Sequence, residues 1–176
     1  MPTFFIEIRM NKIRKVLFVC TGNSCRSVAA EYLGKWLKQT KYAKELNDVS
    51  FDSAGIYTFF EKPRDGTVKY LKSKGIEVND FTPKKVDKDL VQRNDLLLGF
   101  ETKYHKRKLL RKFKHSNGIN SKVYLLRKYA GYDTDLEIKD PIDLPYEEYK
   151  VIMEIIEDSV EKILQKIISL NKEEEI

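Results

Sequence analysis

Residues 13–27 read Ile-Arg-Lys-Val-Leu-Phe-Val-Cys-Thr-Gly-Asn-Ser-Cys-Arg-Ser. Residues 13–19 form a short apolar run suited to a buried strand. Residues 20–27 form a polar turn, and Val28, Ala29, Tyr32, Leu33, Trp36 and Leu37 then recur at helical spacing. Working outward, VSFD at 49–52 predicts a second strand closed by Ala54-Gly55. Residues 63–75 predict a helix, with Pro63 near its start and Gly75 just past its end. DLLLGF at 95–100 reads as a third strand, 101–114 as a strongly basic helix, and SKVYLL at 121–126 as a fourth strand. After Asp140-Pro141, residues 146 to about 170 read as a long amphipathic helix whose apolar face is Tyr149, Ile152, Met153, Ile156, Val160, Ile163, Leu164 and Ile167. Strands alternating with helices predict a single α/β domain with a parallel sheet covered on both faces. In such sheets ligands bind beyond the carboxyl ends of the strands, where the loop 20–27 lies.

A chain of 176 residues fits one domain. We assign it to 13–170, with 1–12 as an N-terminal extension and 171–176 as an acidic tail. TFFIEI at 3–8 reads as an added edge strand or a frayed extension, with the frayed form preferred. No apolar run is long enough to cross a membrane, and MPTFFIEIRMNK lacks the features of a signal peptide, so a cytoplasmic protein is expected. The net charge of +6 favours anionic ligands without naming one. Cys20 and Cys25 are too few for a disulfide scaffold; in a reducing compartment such a pair is more often catalytic or metal-binding.

The loop Cys20-Thr21-Gly22-Asn23-Ser24-Cys25-Arg26-Ser27 has the parts of a phosphoryl-transfer site. Backbone amides of a tight loop entering a helix bind an anion. Gly22 and Asn23 are residue types that tolerate a left-handed backbone. Arg26 can return to grip two phosphate oxygens with its planar fork. A helix N-terminus and an arginine also favour the thiolate of a cysteine placed like Cys20, making it a nucleophile, and Ser27 can donate a hydrogen bond to that thiolate. Two other readings stand beside this one. Cys20 could be a small buried hydrophobe at a strand end, and a zinc site could be imagined, although Cys20 and Cys25 with His105 and His115 do not match usual ligand spacings.

VCTGNSCRS resembles the phosphate-binding signature of low-molecular-weight protein tyrosine phosphatases, a family that includes arginine phosphatases and thiol-linked arsenate reductases. Asp52-Ser53-Ala54-Gly55, Lys74-Gly75-Ile76, Leu96 to His105 and Asp140-Pro141 resemble further family segments in the same order. The resemblance implies a four-stranded parallel sheet and a two-step reaction. Cys20 would attack phosphorus, while Arg26 and the loop residues Thr21, Gly22, Asn23, Ser24, Cys25 and Ser27 hold the oxygens. Asp140 would act as general acid and then as base. Asn23 and Ser53 would support the loop, and Cys25 could form a reversible disulfide with the nucleophile. No metal or organic cofactor is implied. The expected partners are a phosphorylated protein or peptide, and phosphate or another oxyanion in the loop. A membrane is not among them, and nucleic acid is a weak candidate.

The chain also departs from the family. Val28 replaces a usual proline, GIEVNDFTPKK lacks the family's His and Ala-Arg, Gly99-Phe100 replaces Met-Thr, and Ile142 stands where tyrosine phosphatases often place aromatics. Thr21 and Ser24 make the loop less apolar, while Tyr57, Phe59 and Phe60 offer a wall for an aromatic ring or simple edge packing. The leading expectation is a tyrosine phosphatase, the alternative an arginine phosphatase, and the reading of another class a phosphate- or nucleic-acid-binding module without turnover. Arsenate reduction through a cysteine relay cannot be built, because no cysteine lies beyond Cys25. Residues 103–114 hold seven lysines and arginines. Lys103, Arg107, Arg111 and Lys114 make a basic stripe, read mainly as a solvated face that can also steer anionic substrates.

Overall fold

Lys15–Cys20 (β1) is flanked on one side by Ser50–Gly55 (β2) and on the other by Leu96–Gly99 (β3), which pairs in turn with Val123–Leu125 (β4). All pairings are parallel, in the order β2-β1-β3-β4, in a computed structural model that describes residues 12–173. The segment 3–8 lies outside the described residues. The helices, in chain order, are Arg26–Thr40 (α1), Asp65–Lys72 (α2), Lys88–Arg93 (α3), Arg107–Lys112 (α4), Ile119–Lys122 (α5), Leu126–Tyr129 (α6) and Tyr146–Glu173 (α7).

The apolar run in β1 is continuous because both of its faces are covered. Val16, Phe18 and Cys20 join one core with α1, α2, α6 and α7, while Leu17 and Val19 join a second core with α3, α4 and α5. Such burial contributes roughly 1.5–3 kcal/mol per large side chain. The anticipated face of α7 is seated on the first core, with Tyr149, Met153, Ile156, Val160, Ile163, Leu164 and Ile167 buried and Ile152 half-buried. Among the described residues no helix is long and apolar enough to cross a membrane.

Several boundaries differ from the sequence reading. The basic segment 101–114 is not one helix: Thr102–Lys106 is a π-helical turn, and α4 follows it. The wider turn swings His105 under the sheet edge, where Gly99 makes room: a Cβ on Gly99 would lie 2.8 Å from the His105 Cβ. Helix α3, which the sequence reading lacks, begins at Asp87, whose carboxylate accepts from the Leu90 amide at 2.8 Å. The end of α7 runs past the boundary drawn at 170. Asn171 accepts from the Ile13 amide and donates to the Ile13 carbonyl, each at 2.9 Å, so the helix end clasps the start of β1.

Register then assembles the site. Cys20 pairs with Gly55 and Val19 with Gly99, so three loops meet at one edge of the sheet. The approach at Gly55 is close: a Cβ there would sit 2.2 Å from the Tyr57 carbonyl oxygen and 2.8 Å from the Asn23 nitrogen.

Candidate active site

Backbone bonds hold the loop 20–27 from behind. The carbonyls of Cys20, Thr21 and Ser24 accept from the amides of Ile56, Tyr57 and Arg64 at 2.9, 2.9 and 2.8 Å. The amides of Gly22, Asn23, Ser24 and Cys25 donate to no acceptor among the described residues. They adjoin the first turn of α1, which carries no acidic residue and no side-chain cap. Buried amides in this arrangement form an anion nest. Asn23 has the left-handed backbone, with φ 51°. Gly22 does not share it; its backbone falls outside the positive-φ region, and a Cβ there would meet only ordinary contacts.

Beneath the loop lies a polar layer in which each hydrogen can be traced. The Asn23 side-chain oxygen accepts from the Lys84 amide at 2.9 Å, which fixes its NH2 group as the donor to Ser27 and Ser53, at 3.0 and 2.8 Å. Ser53 passes its own hydrogen to the Glu31 carboxylate at 2.5 Å, and Lys35 pairs with the other Glu31 oxygen. Ser27, already accepting from Asn23, is left with its hydroxyl hydrogen for the Cys20 sulfur, 2.9 Å away. Asn23, Ser27 and Ser53 are fully buried. These three residues therefore support Cys20 from below, while Thr21, Gly22, Ser24, Cys25 and Arg26 line the cavity above it.

Arg26 is 1% exposed. Its Nη1 donates to Glu101 at 2.7 Å and to the Ile138 carbonyl at 2.8 Å, and its Nη2 donates to Asp140 at 3.0 Å. Its buried Nε has no partner among the described residues. A buried guanidinium fixed at one end by a carboxylate and a carbonyl, with a free N–H at the other, is prepared for an oxyanion. The residues that anchor it, Glu101 and Ile138, escaped the sequence reading.

The sequence gives His105 as a family position and as part of an ill-spaced zinc set, with no role in the reaction. Its Nδ1 accepts from the amides of Phe100 and Glu101, both at 3.0 Å. The proton therefore sits on Nε2, which donates to the Thr21 hydroxyl at 3.0 Å. Burial, with the Arg26 and Lys108 charges, lowers the His105 pKa to about 3. The ring is neutral, and its 3.8 Å approach to Glu101 is not an ion pair. With its oxygen occupied by His105, Thr21 has its own hydrogen free to donate into the cavity that it lines.

Cys25 is buried with Tyr149 beside it, and Tyr149 in turn shares a 2.7 Å hydrogen bond with Thr67. Burial raises the Cys25 thiol pKa to about 11, so it is protonated at neutral pH. Both cysteines are free thiols. Among the described residues no cluster of His, Cys, Asp and Glu could hold a metal ion, and His115 is exposed.

The cavity over Cys20 measures about 220 Å³ and is bordered at its mouth by Phe59, Phe60, Asp140 and Ile142. Of the anticipated aromatic wall, Phe59 and Phe60 reach it. Tyr57 does not; it packs on Phe59 at 5.4 Å and lies outside the lining.

Known proteins share this fold. The family model for low molecular weight phosphotyrosine protein phosphatases matches residues 15–175. A low molecular weight protein tyrosine phosphatase from T. tengcongensis superposes with a TM-score of 0.76 at 28% identity, covering 87% of this chain and 99% of that one. A protein-arginine-phosphatase from Geobacillus stearothermophilus is 28% identical over 154 residues, 87% of this chain and 95% of its own length. An arsenate reductase from Halalkalibacterium halodurans is 40% identical over 89 residues; that match spans 51% of this chain and 57% of the reductase. Since the family model extends from the first residue of β1 across both cores and through α7, the chain belongs to the low molecular weight phosphotyrosine protein phosphatase family.

Proposed function

We propose that this chain hydrolyses phosphomonoesters on protein tyrosine side chains through a phosphocysteine intermediate. The observation that carries this reading is the Cys20 sulfur, 2.9 Å from a Ser27 hydroxyl whose hydrogen is available to a thiolate, beneath a cavity that Arg26 helps to line. The Cys20 thiolate attacks phosphorus and a P–S bond forms as the P–O bond to the substrate breaks. The incoming phosphoryl oxygens take over the Arg26 guanidinium, which releases Asp140 from its ion pair to take up a proton from water and pass it to the departing oxygen. A water then attacks phosphorus, Asp140 takes its proton, and the P–S electrons return to Cys20 as the Ser27 hydroxyl stabilises the thiolate. Phosphate and the free side chain leave.

The tyrosine assignment draws on Phe59, Phe60 and Ile142, which give a flat ring apolar walls directly above Cys20. A second reading, phosphoarginine, is favoured by Thr21 and Ser24, which bring hydroxyls to an otherwise mostly apolar lining, and by the relative named for that activity. Rates on matched phosphotyrosine and phosphoarginine peptides decide between them, with para-nitrophenyl phosphate as the common control. Faster turnover of phosphoarginine would reverse the assignment. Full turnover by Cys20→Ser would remove the phosphocysteine mechanism altogether.

A further inference from the structure

The seven cations of residues 103–114 do not form one uniform surface. Lys112 donates to the Val86 carbonyl, Lys103 lies over the Tyr104 ring, and Arg107 faces Glu137. Lys108 and Arg111 do something different. Lys108 Nζ lies 3.1 Å from the Tyr57 hydroxyl and 4.9 Å from the centre of its ring. Lys85, from the segment after β2, and Arg111 add their charge at the same hydroxyl, and together the three lower the Tyr57 pKa. None of Lys85, Lys108 and Arg111 pairs with a carboxylate among the described residues.

This cluster is continuous with the cavity over Cys20. The Tyr57 ring packs on Phe59 at 5.4 Å, and Phe59, 66% exposed, forms part of the cavity mouth. From Phe59 to Lys108 is at most about 10 Å, the reach of about three extended residues. A neighbouring groove of about 760 Å³, which shares Phe59, Phe60 and Ile142 with the mouth, has another character: it mixes Glu61 and Asp65 with Lys62, Arg64 and Lys69. Uncompensated positive charge therefore borders the mouth on the Tyr57 side.

We propose that Lys85, Lys108 and Arg111 form a docking site for acidic residues within about three positions of the phosphorylated side chain, on one side of it. The proposal rests on the phosphatase reading above. A peptide is favoured over nucleic acid because three cations around one aromatic ring match a few carboxylates. A nucleic-acid track needs on the order of 6–10 phosphate contacts, and Lys103, Arg107 and Lys112 of this segment already meet Tyr104, Glu137 and the Val86 carbonyl.

Three substrates test it in wild type and in Lys85→Glu/Arg111→Glu: para-nitrophenyl phosphate, a phosphotyrosine peptide with Glu and Asp on its flanks, and the same peptide with Gln and Asn. In wild type, kcat/KM should be roughly tenfold higher for the acidic peptide at low salt, with the preference shrinking as salt screens it. The variant should lose that preference while hydrolysing para-nitrophenyl phosphate at the wild-type rate, which also reports that it has folded. Equal wild-type rates on the two peptides, or a preference retained by the variant, would overturn the proposal alone. Strong inhibition by polyuridylate, lost in the variant and unaccompanied by peptide preference, would reassign the surface to nucleic acid. No turnover of para-nitrophenyl phosphate by wild type would overturn the phosphatase reading and this proposal with it.

Discussion

The Ser27 hydroxyl stands 2.9 Å from the Cys20 sulfur and, having accepted a hydrogen from Asn23, has only that sulfur left as a target for its own. Such a bond gains most when the sulfur carries negative charge, which happens before attack and again as the phosphocysteine breaks down. Ser27→Ala should lower kcat for para-nitrophenyl phosphate by about ten- to a hundredfold, the worth of a hydrogen bond to a charged group. Rapid-mixing kinetics should reveal a burst of para-nitrophenol as breakdown becomes limiting. An unchanged kcat would remove Ser27 from the mechanism.

Asp140 reaches the cavity mouth and holds Arg26 at 3.0 Å. As general acid it matters most when the leaving oxygen is basic. Asp140→Ala should cost about a hundredfold or more on phenyl phosphate and much less on para-nitrophenyl phosphate. Equal losses on both would mean that Asp140 acts through Arg26 instead.

His105 is held neutral, with its pKa lowered to about 3. An unfolded chain takes up that proton near pH 6.5, whereas the folded protein refuses it until near pH 3. Its contribution is therefore fully present above pH 6.5 and is lost as pH falls toward 3, by up to about 1.4 kcal/mol per pH unit. Urea unfolding at pH 7.5 and pH 5 should show wild type losing about 2 kcal/mol more than His105→Gln over that interval. Parallel losses in the two proteins would contradict a neutral, buried His105.

Cys25, with its thiol pKa raised to about 11, should resist alkylation at pH 7 while Cys20 reacts. Iodoacetamide should label one cysteine, phosphate should slow the labelling, and Cys20→Ser should abolish it. Peroxide inactivation should be reversed by dithiothreitol in wild type and become irreversible in Cys25→Ser, as expected if Cys25 traps the oxidised nucleophile as a disulfide. Full recovery of Cys25→Ser would exclude that protection.

Gly99 faces the His105 side chain so closely that an added Cβ would lie 2.8 Å from the histidine's own. Gly99→Ala should destabilise the fold by about 1–3 kcal/mol through overpacking, measured by thermal unfolding, and should displace His105 from Thr21. A neutral effect would show that the π-helical turn can shift to accommodate it.

What the sequence made legible follows from distance along the chain. The loop 20–27 places Cys20, Arg26 and the run of unpaired amides within eight consecutive residues, so the proposed site was visible there directly. The apolar period of α7 named its buried face for the same reason. Glu101 and the Ile138 carbonyl were not visible, because they meet Arg26 from 75 and 112 residues away, once the sheet register has formed. Glu31 was hidden by an ordinary helical glutamate context; only the folded chain brings Ser53 to it. The basic run after β3 concealed His105, since its lysines and arginines suggested an exposed α-helix where the chain makes a wider turn to bury a ring.

The groups that orient Cys20 lie behind the loop: Ser27, Asn23, Ser53 and Glu31. Phe59, Phe60 and Ile142, which frame its entrance, belong to two segments in front of it. The two sets share no side chain. Descendants of this chain can therefore diverge at the entrance, exchanging one clientele for another, while the reaction inside stays the same.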